Sequence, residues 1–204
     1  MLGIYYIKMY GDEQIGETLQ EIDFDPSQIE DVDTTDEAES LGDLYAPVVI
    51  AGYMYESNGA DSAQEYLNKF YDGLTIDKEL SSRENVVIRN EGTNDAIVSV
   101  LNLATGIGGQ LFGRVGLGVA RQFTDRQNYD ERVKTTEDTL DKIADKYGDT
   151  DTLLLGHSLG GAITRKVALD NNLSSIIYNS AVGKNSLYQD NQKKNIELRI
   201  NKNI

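Results

Sequence analysis

The chain has 204 residues, of which 39% are hydrophobic and 26% charged, and its formal net charge at pH 7 is -15. This length suits one domain with a sizeable core plus an appendage. Because cysteine is absent, the sequence excludes a disulfide framework and a thiolate metal site. Acidic segments repel phosphate, so nucleic acid is not expected as a partner.

The negative charge is concentrated in the N-terminal third. Residues 9–68 contain 16 Asp or Glu and no Lys or Arg, whereas residues 69–204 contain 18 residues of each sign. Residues 1–45 are acidic and poor in core-forming side chains, which predicts an arm that is disordered or bound to a protein partner. They lack the Asp-x-Asp-x-Asp-Gly pattern of a calcium loop, and no metal site is predicted.

The apolar segments of the chain do not indicate a membrane protein. The first ten residues, MLGIYYIKMY, carry Lys8 within their apolar run and lack an apolar core of signal-peptide length. The glycine-rich apolar segment 105–120 is too short to span a bilayer as a helix. We therefore expect no signal peptide and no transmembrane segment, and cytoplasmic and virion-associated locations both stay open.

Two helices are predicted at the start of the folded region, 46–204. Pro47 suits the first turn of one helix, and the next begins at Asp61 or Ser62 and ends at Gly73.

Residues 85–100 then predict a hairpin whose turn runs from Glu91 to Asp95. A helix over 130–147 follows, ended by Gly148. Its predicted buried face consists of Val133, Leu140, Ile143, Ala144 and Tyr147.

The segment DTLLLGHSLGGAITRKVA, residues 151–168, carries the strongest chemical signal. Three consecutive leucines are typical of a strand buried in a parallel sheet. The Gly-x-Ser-x-Gly spacing of Gly156, Ser158 and Gly160 follows, and then apolar residues at helical spacing. Strand, tight glycine turn and helix are the context of a nucleophile elbow, in which the serine hydroxyl is exposed on a strained turn.

In this interpretation Ser158 is the nucleophile, and the amide of Leu159 donates to the oxyanion of a tetrahedral intermediate with help from the helix dipole. Side chains at positions 156 and 160 would collide with the neighbouring strand and helix, and Gly161 completes the elbow. The alternative is a glycine-rich strand-to-helix turn without catalytic function.

The base for this serine is not evident. The only histidine of the chain, His157, directly precedes Ser158. Adjacent side chains diverge in an elbow, so we expect His157 to be a packed, hydrogen-bonded residue under the sheet. The 204 residues therefore lack a conventional Ser-His-Asp triad.

GHSLGGA after an apolar strand resembles the elbow of the class 3, fungal-type lipases, an α/β-hydrolase family, and especially that of lipase-like proteins from algae and large DNA viruses. The likeness includes segments 74–100, 121–151 and 174–187 and covers roughly residues 46–204. It implies an α/β fold with a mostly parallel central sheet flanked by helices, a lipid or ester substrate, and no cofactor.

The acid of the family follows the second strand after the elbow helix. Residues 174–181 and 195–201 predict these two strands, so the aspartate would be expected at about Ile204, where the given sequence stops. Asp170 and Asp190 come too early. The domain is therefore expected to be incomplete, and truncation, a second chain that completes the site, and decay into a pseudoenzyme all stay open.

The oxyanion hole also departs from the family. Its Phe-Arg-Gly-Thr-like motif is absent from AIVSVLNLATG, residues 96–106. Thr105 with Gly106 is a shifted equivalent in one interpretation, which makes Thr105 the second candidate oxyanion donor. The segment 105–120 corresponds either to the family's lid or to a packed connection.

Two functions follow as expectations. The first is a lipase-like serine carboxylic-ester hydrolase of lipid metabolism, with Ser158 as nucleophile and with an acid and a base from outside these residues. The second is a non-catalytic pseudo-lipase with a binding or structural role, for example in a virus particle.

Overall fold

The computed structural model describes residues 35–93, 95–101, 126–157, 159–178 and 195–198. Within these residues, six strands form one mixed sheet with helices on both faces, which is an α/β fold. The helices are α1 (Thr35–Asn58), α2 (Ala60–Leu67), α3 (Arg126–Tyr147) and α4 (Leu159–Asn171). The strands are β1 (Leu74–Ile76), β2 (Asn85–Asn90), β3 (Ala96–Val100), β4 (Thr152–His157), β5 (Ser174–Tyr178) and β6 (Asn195–Leu198).

The described strands lie side by side in sequence order. Strands β1, β2 and β3 pair antiparallel, and the predicted hairpin is confirmed, with Ile88 opposite Ile97. Strands β3 to β6 pair parallel. Parallel neighbours need crossover connections, and α3 and α4 lie in the connections that lead into and out of β4.

The sheet is the middle layer of three. Helices α1 and α2 pack on one face, and α3 and α4 pack on the other. Successive strand side chains point to opposite faces, so Leu153 and Leu155 contact the α1 layer whereas Leu154 contacts the α3–α4 layer. All three leucines are fully buried, which confirms the prediction of a strand buried on both faces.

Helix α1 begins at Thr35, inside the stretch that composition assigns to the acidic arm. Leu44 and Tyr45 are buried in the core, although the preceding residue, Asp43, is exposed. The folded part therefore starts before residue 46, because residues of this stretch are already buried in the core. Its high content of Asp and Glu conceals these apolar residues in the average composition. Residues 1–34 lie outside the described residues.

Pro47 lies inside α1 and not in its first turn. A proline in a helix interior cannot donate the backbone hydrogen bond of its turn. Its neighbours Val48 and Val49 are buried against the sheet, and this packing outweighs the local cost.

The bounds of the other helices agree with the predictions in part. Helix α3 ends at Tyr147, directly before Gly148, and buries Val133 and Ile143, whereas Ala144 is exposed. Helix α2 begins after Gly59 and ends at Leu67, so its predicted start at Asp61 or Ser62 and its predicted end at Gly73 are both wrong.

Asp77 joins the turn after β1 to the C-terminal end of α3. Its carboxylate accepts hydrogen bonds from Lys146 Nζ at 2.9 Å, from the Tyr147 hydroxyl, and from two backbone amides of its own turn at 3.0 and 3.1 Å. Burial raises the pKa of Asp77, but these hydrogen bonds together lower it below the ordinary value of 3.8. The carboxylate is therefore charged and fully partnered.

Candidate functional site

The carboxyl ends of the parallel strands form one edge of the sheet. Val100 at the end of β3 is opposite Gly156 of β4, and His157 is opposite Tyr178 at the end of β5. Ligands of open α/β sheets bind outside the carboxyl ends of the strands. The turn from β4 into α4 lies on this edge, which we call the carboxyl edge.

Two glycines allow β4 to pass directly into α4. A Cβ atom at Gly156 would lie 2.7 Å from the carbonyl oxygen of Gly160 and 2.8 Å from the Cα of Gly161. A Cβ atom at Gly160 would lie 2.9 Å from the carbonyl carbon of Leu101, and it would also overlap the Val100 carbonyl oxygen. Real Cβ contacts are longer than this. The packing of backbone against backbone therefore requires glycine at both positions.

Ser158 lies outside the described residues, and so do Thr105, the glycine-rich segment 105–120 and Asp190. The residues on either side of Ser158 are placed, with β4 ending at His157 and α4 beginning at Leu159. The Leu159 amide is thus among the first N–H groups of α4, which have no acceptor within a helix. These groups and the helix dipole favour negative charge at this end.

His157 is turned toward α1. Its Nδ1 lies 3.0 Å from the hydroxyl oxygen of Tyr53, and the two rings meet edge to face with centroids 6.1 Å apart. Burial lowers the pKa of His157 from 6.5 to about 4. The imidazole is therefore neutral at pH 7 and engaged with Tyr53 on the face of the sheet that α1 covers.

Arg132 of α3 is a buried charged residue that is not predicted from the sequence patterns above. It is only 8% exposed, and its Nη2 donates to the carbonyl oxygen of Leu101, immediately after β3. Among the described residues, no acceptor pairs with its Nε or Nη1. Burial lowers the pKa of the Arg132 guanidinium, whereas the charge of Glu84 and the nearby Tyr53 oppose this effect. An arginine nevertheless stays protonated in a protein.

Helical spacing contained a signal for Arg132. It lies four residues before Thr136 and eleven before Ile143, and positions at such spacings share one helix face. Thr136 and Ile143 are both buried. An arginine among the buried residues of a helix face is unusual and marks a candidate site. The sequence alone does not identify that face as buried, because its burial depends on which residues the neighbouring strands present.

The remaining candidates do not converge on the carboxyl edge. Asp170 is an exposed residue of α4 that pairs with Lys166 one turn earlier. In the part of the chain that the structure describes, no group of three or more His, Asp or Glu side chains is arranged to hold a metal ion. None of the described helices is both long and apolar enough to cross a bilayer.

Comparison with solved structures finds a distant likeness. No family model matches the sequence, and no curated protein matches it. A solved structure, a deletion mutant of the Rhizomucor miehei lipase propeptide complex, aligns with a TM-score of 0.43 and 14% sequence identity. The alignment covers 72% of this chain and 52% of that one, so the chain spans about half the length of that structure.

Proposed function

We propose that this chain carries the nucleophile of a lipase-like serine carboxylic-ester hydrolase, with Ser158 as the attacking residue. The observation that supports it most is the close packing of Gly156 and Gly160, where added Cβ atoms would lie within 3.0 Å of neighbouring backbone. A serine between these glycines, at the end of a buried strand and the start of a helix, has the surroundings of a nucleophile elbow.

In the proposed reaction, Ser158 Oγ attacks the carbonyl carbon of an ester and its proton passes to a base. The Leu159 amide donates to the oxyanion that forms, with Thr105 as the candidate second donor. The alcohol then leaves with a proton from the base, and water hydrolyses the acyl-enzyme to a carboxylic acid.

The base of this reaction comes from outside these 204 residues. His157 is the only histidine, and its Nδ1 is engaged with Tyr53. A conventional relay needs an imidazole within hydrogen-bond reach of the serine, oriented by a carboxylate. We expect a further segment of the protein or a second chain to supply both groups. No cofactor is required, and lipids or other carboxylic esters are the expected substrates.

A fluorophosphonate reagent tests the nucleophile, because it phosphonylates activated serines. The full natural protein should be labelled at Ser158, as located by mass spectrometry of its peptides. Ser158→Ala should abolish labelling, whereas Ser57→Ala should retain it, since Ser57 is an exposed serine of α1 whose hydroxyl only bonds the Tyr53 carbonyl. A folded wild-type protein that is never labelled at Ser158 would overturn the proposal.

The engagement of His157 with Tyr53 favours a second candidate function, a pseudo-lipase that binds a partner without hydrolysis. In that case the protein folds, its Ser158 is inert toward fluorophosphonate, and no ester is hydrolysed. Labelling of Ser158 in the natural protein would exclude this candidate.

A further inference from the structure

Arg132 places a buried positive charge with unused donors at the carboxyl edge. One of its guanidinium nitrogens, Nη2, bonds the Leu101 carbonyl, while Nε and Nη1 have no partner among the described residues. No ion pair joins it to an Asp or Glu of those residues; the charge of Glu84 attracts it from a longer range. A buried cation in this arrangement lacks the paired, hydrogen-bonded anion that burial of a charge normally requires.

The guanidinium and the first turn of α4 both approach the backbone of Leu101, at the end of β3. Both contact the same piece of backbone, because Arg132 donates to the Leu101 carbonyl oxygen and the Leu101 carbonyl carbon would be 2.9 Å from a Cβ atom at Gly160. The first N–H groups of α4 and its dipole carry partial positive charge. Two independent positive features therefore meet at one point of the sheet edge.

We propose that Arg132 binds an oxyanion near the first turn of α4, namely the carboxylate or phosphate group of a ligand. Both groups present two acceptor oxygens that match the planar fork of a guanidinium. The unpaired Nε and Nη1 are themselves buried, whereas Tyr53, His157 and Leu159 of the same edge are each partly exposed.

Anion binding by Arg132 is a function in addition to ester hydrolysis, because ester hydrolysis needs no arginine on α3. The Arg132 site would hold the anionic group of a ligand next to the β4–α4 turn that carries Ser158. If the protein is a hydrolase, its substrates are then esters that also bear a carboxylate or phosphate. If the protein is not a hydrolase, the carboxyl edge binds an anionic ligand without hydrolysing it.

Isothermal titration calorimetry of the full natural protein tests the site with two simple anions, inorganic phosphate and acetate, at neutral pH. Sodium chloride keeps the ionic strength equal, because general screening would otherwise imitate binding. We expect saturable binding of at least one anion. Phosphate binding indicates a phosphate-bearing ligand, and acetate binding indicates a carboxylate-bearing one.

Two variants assign the binding to the guanidinium. Arg132→Gln should weaken it about tenfold to a hundredfold, the loss expected when charge-assisted hydrogen bonds disappear. Lys142→Gln removes an exposed cation from the same helix and should leave binding unchanged. Ser158→Ala should also bind normally, which separates this proposal from the hydrolase proposal.

The wild-type titration decides the question even if Arg132→Gln fails to fold. Absence of saturable binding of both anions by the wild-type protein would overturn the proposal. Equal binding by wild-type protein and a folded Arg132→Gln variant would overturn it as well.

Discussion

The two ends of helix α3 carry buried charge in different ways. At its C-terminal end, Asp77 receives hydrogen bonds from Lys146, from Tyr147 and from two backbone amides. Near its N-terminal end, Arg132 is buried with one acceptor, the Leu101 carbonyl, and with two nitrogens unpaired among the described residues. Unpaired buried donors cost about 1–3 kcal/mol each.

This difference distinguishes a structural cluster from a functional one. The Asp77 cluster lowers the free energy of the folded state through the contacts that are present in it. The Arg132 site carries a cost of stability that a bound anion would remove, and proteins tolerate such costs mainly where they bind ligands. This contrast supports the proposal that the carboxyl edge, where Arg132 bonds the Leu101 carbonyl, is the functional side of the molecule.

The largest expected effect is a steric disruption of the carboxyl edge. Gly160→Ala places a Cβ atom 2.9 Å from the Leu101 carbonyl carbon and 3.0 Å from that of Val100. Neither backbone group can rotate away, so we expect a loss of about 3 kcal/mol in the free energy of unfolding, measured by urea denaturation.

Gly92→Ala is the control for this substitution. The added Cβ atom would have its nearest neighbour, Asn90 Oδ1, at 3.4 Å, an ordinary contact at an exposed turn. Its stability should change by less than about 0.5 kcal/mol. Equal stabilities of the two variants would contradict the close packing at the elbow.

The next effect concerns the charged cluster at the other end of α3. Asp77→Asn keeps the shape but loses the charge that Lys146 and Tyr147 bind. We expect a loss of about 1–2 kcal/mol in the free energy of unfolding. Glu79→Gln is the control, because the Glu79 side chain is 82% exposed and such a pair adds little stability.

The Asp77 effect should depend on pH in a defined direction. Its pKa is lower in the folded protein than the ordinary 3.8, so the folded state favours the ionised form. This stabilisation is complete above pH of about 4 and fades as pH falls through the lower folded-state pKa. The acid denaturation of Asp77→Asn should lack this component. Identical acid profiles of wild type and variant would contradict the assigned pKa direction.

A smaller effect is expected from removing the other buried charge. Arg132→Met keeps much of the side-chain volume and removes the unpaired cation. Replacing buried ionic groups by apolar ones is often neutral or stabilising, so its free energy of unfolding should equal or exceed that of wild type. A loss larger than that of Asp77→Asn would show that the guanidinium is a structural group, and the contrast between the two ends of α3 would fail.

The last prediction perturbs the protein least, because it changes no residue and is read out by spectroscopy. His157 is the single histidine, so its imidazole gives one set of NMR resonances to titrate. We expect a midpoint of about 4, because burial opposes the charged form. Between about 6.5 and 4 the unfolded chain takes up the proton first, so stability should fall through this window as pH falls. A midpoint at or above 6.5 would contradict the burial of His157 and would reopen it as a candidate base.

Much of the framework could be predicted from local patterns. The buried strand Leu153 to Leu155, the hairpin around Glu91 to Asp95 and the long helix ending before Gly148 were each indicated by periodicity and turn residues. These signals are local, because strand burial, turns and helix ends depend on neighbouring residues. The spacing of the two elbow glycines is likewise local.

The missed features depend on contacts between distant segments. Helix α1 starts at Thr35 because its apolar face meets the sheet, which an acidic composition conceals. The pairing of Tyr53 with His157 joins residues 104 positions apart. Arg132 is recognised only once the end of β3 is placed beside it. Such contacts are set by tertiary packing, which propensity and composition do not contain.

The most direct test of the proposed site is whether Ser158 becomes acylated. The full natural protein is incubated briefly with a p-nitrophenyl ester and quenched in acid, and its Ser158 peptide is analysed by mass spectrometry. The proposed function requires an acyl group on Ser158 in the wild-type protein and none in the corresponding peptide of Ser158→Ala. A folded wild-type protein whose Ser158 stays unmodified at every reaction time would contradict it.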